Sequence, residues 1–189
     1  DMALFNVWLR RGEAAAGLKA LDRLQEKMPD SPLPHHLRGR TLMQTGDKAG
    51  ARKSFEQALA KDQNYFSATS SLATLDMADK RPDDARQRFQ AVLSRDPKNA
   101  RAMVALALLL NSTGSKPAEV AELLERAVKE NPGDVAARLA QIDFLLARYD
   151  TKAAIASAEA ALAAVPNDLS LLDALGRAQI AAGNMRQAV

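Results

Sequence analysis

Cysteine is absent from the 189 residues. That removes a disulfide framework, a thiol nucleophile and any cysteine-based zinc site in one step. Aromatic residues are scarce as well, at 4%, so the chain has few platforms against which a sugar ring could lie. An excess of one charge is also lacking. Twenty-six Lys and Arg stand against 23 Asp and Glu, a formal charge of +3 with the two signs interleaved. This describes a solvated surface, whereas nucleic-acid binding needs basic side chains gathered on one face. The longest apolar run, residues 103–110, is too short to cross a bilayer.

What remains is 47% hydrophobic and 26% charged, ordinary values for a folded chain long enough to bury a core. Alanine and leucine supply most of the apolar content, and both lose little freedom in a helix. Asp1 follows no initiator Met and opens no basic-then-apolar leader, and Val189 comes just after a helix-starting turn. The chain is therefore expected to be a segment of a longer protein, with any targeting sequence outside it.

The stretch 39–64 contains the unit from which the rest is built. Its Gly39, Leu42, Gly46, Ala51, Phe55 and Ala58 have the spacing of a helix, a tight turn and a second helix. The turn glycines give the period: Gly12 to Gly46 is 34 residues, Gly46 to Gly114 is 68 and Gly114 to Gly183 is 69. The helix-ending prolines Pro29, Pro97, Pro132 and Pro166 are separated by 68, 35 and 34, which places one inserted residue between Gly114 and Ala127. A period of 34 is that of a two-helix repeat.

On these residues the whole chain resembles the tetratricopeptide repeat family, whose pattern is a Trp, a Leu-Gly pair and a Tyr in the first helix, Ala and an aromatic four residues later in the second, and a closing Pro. The resemblance implies an all-α, right-handed superhelical solenoid of antiparallel helix pairs. It comprises five nearly complete repeats and the start of a sixth, at about 1–31, 32–65, 66–99, 100–134, 135–168 and 169–189, in one domain. The first copy carries Leu4, Trp8, Gly12 and Leu21. The third replaces the turn glycine with Lys80 and opens its second helix at Pro82, where the missing N–H costs nothing. The fifth diverges most, with Gln141 and Ile142 at the Leu-Gly pair and Tyr149 at the turn. Small residues at Gly39, Ala73, Ala107 and Gly176 are expected to let paired helices approach, with Phe55 and Phe89 filling space toward the next repeat. Asp30, Asp96, Asn131 and Asn167 are expected as turn and helix-start residues.

Catalytic and metal patterns are missing. Ser, His and Asp show no nucleophile elbow and no triad spacing. The run 112–116, STGSK, lacks the leading glycine of a phosphate loop and follows a helix. Adjacent His35 and His36 point to different helix faces, so they cannot share a metal. Residues 111–113 match a glycosylation acceptor by pattern only. Neither enzyme activity nor a cofactor or metal is expected.

The resemblance implies a concave face lined by the first helix of each repeat and binding a protein or peptide segment. Carried across residue by residue, that face comprises Asn6 and Arg10, then His36, Arg40 and Gln44, then Ser67, Ser70, Ser71 and Thr74. It continues with Arg101, Val104, Leu108 and Asn111, then Leu139 and Asp143, then Asp173 and Arg177. Met2, Leu37, Ser67 and Ser71 stand at most positions where family members that hold a C-terminal carboxylate have Lys, Asn or Arg, which argues against that clamp. Arg10, His36 and Arg40 suit an acidic partner segment, because Arg offers a planar fork to carboxylates. Asp143 and Arg177 can alternatively pair with each other across a repeat boundary. The open apolar edges near Phe5 and Ala188–Val189 leave a second reading, an architectural or self-associating piece of a longer array. Residues 31–59 and 66–109 further resemble repeat-containing lipoproteins of the bacterial exosortase/PEP-CTERM sorting and exopolysaccharide systems. That resemblance implies a periplasmic, envelope-anchored parent.

Overall fold

A computed structural model of the chain describes residues 14–184. Every regular element among them is an α-helix: α1 Ala14–Lys27, α2 Leu33–Gln44, α3 Lys48–Lys61, α4 Phe66–Ala78, α5 Pro82–Arg95, α6 Ala100–Ser112, α7 Pro117–Glu130, α8 Val135–Ala147, α9 Thr151–Ala164 and α10 Leu169–Ala181. The helix starts at Leu33, Phe66, Ala100, Val135 and Leu169 lie within one residue of the repeat starts expected from the period. The chain packs as two compact units, 1–88 and 89–189, divided within α5.

In the first unit α1 packs on α2, α2 on α3 and α3 on α4. Its core is Ala51, Phe55, Ala58, Ala68, Leu72 and Leu75, with Leu42, Met43, Leu59 and Tyr65 at the edge. Gly39 permits the close approach of α2 and α3. A Cβ there would sit 2.5 Å from Cε1 of Phe55, closer than any real contact. In the second unit α6 packs on α7, α7 on α8, α8 on α9 and α9 on α10. Ile142, Ala154, Ala158, Ala161, Leu171, Ala174 and Ala178 form a core there. Residues 1–13, including Leu4, Phe5, Trp8 and Gly12, and residues 185–189 lie outside the described residues.

The turns explain the repeat register. Gly46, Lys80, Gly114, Tyr149 and Gly183 are equivalent residues, and all five have positive φ, from 59° to 85°. The connector after α6 has four residues, 113–116, where those after α2, α4 and α8 have three, so the inserted residue lies in the run 112–116. Lys80 and Tyr149 occupy a left-handed conformation that costs a residue with a Cβ about 1–2 kcal/mol. Lys80→Gly and Tyr149→Gly should therefore each stabilise the protein by about 0.5–1 kcal/mol, after allowance for the freedom glycine adds to the unfolded chain. The urea midpoint should rise at constant slope, and a fall would mean that these side chains hold the turn.

Helix starts are capped by residues other than those expected. Asp47 accepts from Gly50 N, Asn99 from Ala102 N, Asp134 from Ala136 and Ala137 N, Asp150 from Ala153 N, and Asp168 from Ser170 and Leu171 N. Asp96, Asn131 and Asn167 are turn residues only. Asp96 accepts from Lys98 N, Asn131 closes α7, and Asn167 takes φ 64°. The cap falls to Asn99, Asp134 and Asp168 because it must stand immediately before the first helical residue to reach the unpaired N–H groups.

Candidate functional site

Among the described residues, the first helices of the repeats are α2, α4, α6, α8 and α10. One equivalent position on each carries Arg40, Thr74, Leu108, Asp143 and Arg177, and all five side chains are exposed. Gln44, Arg101 and Asn111 are exposed as well, whereas Ser67, Ser70, Ser71, Val104 and Leu139 are half-buried. The flanking residues alternate with the core positions at helical spacing, so burial of the core stripe turns this row outward. Asn6 and Arg10 lie outside the described residues.

In the first unit, His36 is almost closed off at 8% exposure. Its ring lies 5.6 Å from Phe55 and edge-on to Tyr65 at 5.4 Å, with Nε2 3.3 Å from Ser71 Oγ. In the second unit, Arg177 donates through Nη1 to Asp143 at 2.8 Å and through Nε to Asp173 at 3.0 Å. These three residues, with Leu139, Leu169 and Ser170, line a hollow of about 410 Å³ between α8 and α10. A second hollow of about 420 Å³ lies among Asp22, Gln25, Glu26, Pro29 and Lys61, on the second helices α1 and α3.

Tetratricopeptide repeat models match residues 71–135 and 115–168, together more than half of the chain, and a further one matches 32–65. The chain belongs to the tetratricopeptide repeat family. No curated protein sequence matches it significantly. Among solved structures it resembles pilF of Pseudomonas aeruginosa, with TM-score 0.67 and 19% identity over 98% of this chain and 84% of that one. It also resembles a tetratricopeptide repeat protein of Parabacteroides merdae, with TM-score 0.64 and 17% identity over 99% and 74%. A third is YrrB, described as a TPR protein with an unusual peptide-binding site, with TM-score 0.54 and 18% identity over 91% and 88%. At these identities the likeness concerns the fold. Proteins of this family generally mediate protein–protein interactions and are typically non-catalytic scaffolds.

Ser71 Oγ, 3.3 Å from His36 Nε2, also hydrogen-bonds the Ser67 carbonyl at 2.9 Å, so within this tetratricopeptide repeat chain the pair ties α2 to α4. Among the described residues no three His, Asp or Glu side chains are placed to hold a metal.

Burial, followed by the Arg40 charge, lowers the pKa of His36, so it presents an uncharged imidazole beside the exposed Arg40. Burial also lowers that of His35, against a hydrogen bond with Gln57 and with help from Arg38 and Lys61. Both groups bind protons more readily in the unfolded chain than in the folded one. Their contribution to stability is therefore present above the ordinary histidine pKa of about 6.5 and is lost as pH falls below it toward the lowered values. The melting temperature should be lower at pH 5 than at pH 7.5. The His35→Gln, His36→Gln double variant should lose most of that difference, and an unchanged pH slope would mean that neither imidazole is its source.

Two features were missed in the sequence. Asp76 is wholly buried among Arg52, Arg81 and Arg88. The available signal was a carboxylate on the apolar stripe of α4, four residues after Leu72. The other is the exposure of Leu169, Leu172 and Ile180 on α10, at 81%, 47% and 54%. Their spacing of 3 and 8 residues places them on one helix face.

Proposed function

We propose that this chain is a non-catalytic interaction scaffold that holds a partner's peptide segment along its first helices. The observation that carries the reading is an exposed side chain at the same place in every described first helix, Arg40 and Thr74 in the first unit and Leu108, Asp143 and Arg177 in the second. Within each compact unit, a repeated exposed position on successive first helices offers side chains to a ligand at repeat spacing. Arg40, with Arg10, suits an acidic stretch of that ligand. The unusual peptide site of YrrB shows that a protein of similar fold takes peptides.

A displayed peptide library selected on the whole chain tests this. Arg40→Glu with Arg101→Glu, on first helices, should weaken a selected peptide tenfold or more. Lys53→Glu with Arg126→Glu, on second helices, should leave it bound. The opposite pattern, or no selectable peptide, would overturn the reading.

The resemblance of residues 31–59 and 66–109 to exosortase-associated repeat lipoproteins supports a place for this scaffold in the bacterial envelope, serving protein sorting or exopolysaccharide export. Fractionation of cells producing the full-length parent tests that placement, and a purely cytosolic protein would count against it.

The exposed stripe Leu169, Leu172 and Ile180 favours a second reading, self-association through α10. Mass in solution that rises with concentration and becomes constant in Leu172→Lys would support it; a constant mass in the original chain would not.

A further inference from the structure

We infer that the hollow between α8 and α10 recognises a lysine or arginine of the partner segment, set beside an aliphatic residue. This rests on the peptide-scaffold reading and gives the ligand's chemistry at one place. Three charged side chains meet in the hollow, and their sum is negative. Arg177 is shared between Asp143 and Asp173, which it reaches through one oxygen of each. Both carboxylates remain open to solvent, their side chains 55% and 71% exposed. One guanidinium against two carboxylates leaves a single unbalanced negative charge, and the attraction of Asp143 and then Asp173 keeps Arg177 fully protonated.

The walls are aliphatic. Leu169 is 81% exposed and Leu139 half-buried, and both line the hollow together with the three charged residues. A side chain with an apolar stem and a cationic tip satisfies both features at once, laying its methylenes on leucine while its charge meets the carboxylates. A carboxylate ligand would instead compete with Asp143 and Asp173 for Arg177, against the net charge of the hollow. The neighbouring aliphatic residue of the partner covers Leu169. The hollow thus has the opposite preference from the exposed Arg40 of α2.

The test uses peptides selected from a displayed library on the whole chain and then measured against variants. Selected peptides should carry Lys or Arg next to Leu, Ile, Val or Met. Their affinity should fall about two- to fivefold in Asp143→Asn and again in Asp173→Asn. Arg177→Gln should raise it by a similar factor, because both carboxylates are then unopposed. A gain of binding on removing a conspicuous arginine is a result that a merely structural triad would not produce. Asp173→Lys provides a second variant at an exposed site should Arg177→Gln melt early. Peptides that bind but are acidic or neutral, or whose affinity ignores these substitutions while responding to Arg40→Glu, would overturn the inference and leave the scaffold reading standing. A library yielding no binder would overturn both.

Discussion

Asp76→Ala should destabilise the protein by about 3–5 kcal/mol, the range for removing one member of a buried ion cluster. Asp76 is the only charged residue among the described core positions with no solvent exposure at all. Its carboxylate accepts from Arg52 of α3 at 2.6 Å, from Arg81 of the α4–α5 turn at 2.9 Å, and from Arg88 of α5. Burial alone would raise its pKa, but the hydrogen bonds from Arg88 and Arg52 outweigh that and hold it below the usual carboxylate value. Asp79 takes a second bond from Arg52, and Asp84 a contact from Arg81. The cluster therefore ties α3 to α4 and α4 to its own turn. Removing the central carboxylate leaves three guanidinium groups facing one another, and their partial exposure, between 22% and 46%, lets water relieve only part of the repulsion.

Asp76→Asn keeps the shape and loses the charge, so it separates packing from electrostatics and should cost less than the alanine change. Because the pKa of Asp76 is lowered on folding, its contribution is complete above the ordinary aspartate value near 3.9 and is lost as pH falls through the lowered one. Urea melts of the original and of Asp76→Asn should therefore converge in strong acid. If Asp76→Ala costs under about 1 kcal/mol at pH 7, the cluster rearranges without its centre and is not a fastening.

That cluster also marks the limit of what the sequence reveals. The period was legible because turns impose a local backbone requirement. Gly46, Gly114 and Gly183 advertise positive φ, and the same spacing then assigns Lys80 and Tyr149, whose residue types alone would never suggest it. The starts of α2, α4, α6, α8 and α10 fall at that same spacing. Capping residues were misplaced by one to three positions, since two Asp or Asn residues lie within two positions of each of Pro97, Pro132 and Pro166 and only geometry selects the one that reaches the helix. Asp76 could be noticed as a carboxylate on an apolar stripe, but its partners could not be assigned, because they lie 24, 5 and 12 residues away, a pattern with no helical period. Of the residues carried across from the repeat pattern, Arg40, Thr74, Leu108, Asp143 and Arg177 are exposed while His36 is buried, and Asp143 pairs with Arg177, a difference between neighbours that spacing alone does not reveal.

Phe55→Ala should cost about 3–5 kcal/mol, the range for truncating a buried aromatic, and the reason reaches beyond its own burial. Phe55 is wholly buried, with its ring over Gly39 on one side and its cluster extending to Ala68, Leu72 and Leu75 of α4 on the other. It therefore closes its own hairpin and joins the next helix. Gly39→Ala should cost about 1–3 kcal/mol through overpacking, although alanine is the better helix former by about 1 kcal/mol. On a Phe55→Leu background the same change should become neutral or stabilising, an inversion that a double-mutant cycle reads as coupling.

The equivalent pair in the fourth repeat is Ala107 and Leu124, and in the fifth it is Ile142 and Ala158, all buried. The large side chain has moved from the second helix to the first while the pair stays filled, which is why the fifth repeat looks divergent in sequence yet keeps its helices. Ala158→Phe should accordingly destabilise the protein unless Ile142 is reduced to Gly in the same molecule. Recovery in that double variant would show that the conserved quantity across these repeats is the summed volume between paired helices. If the double variant is no better than Ala158→Phe alone, the fifth hairpin is packed on different contacts from the second.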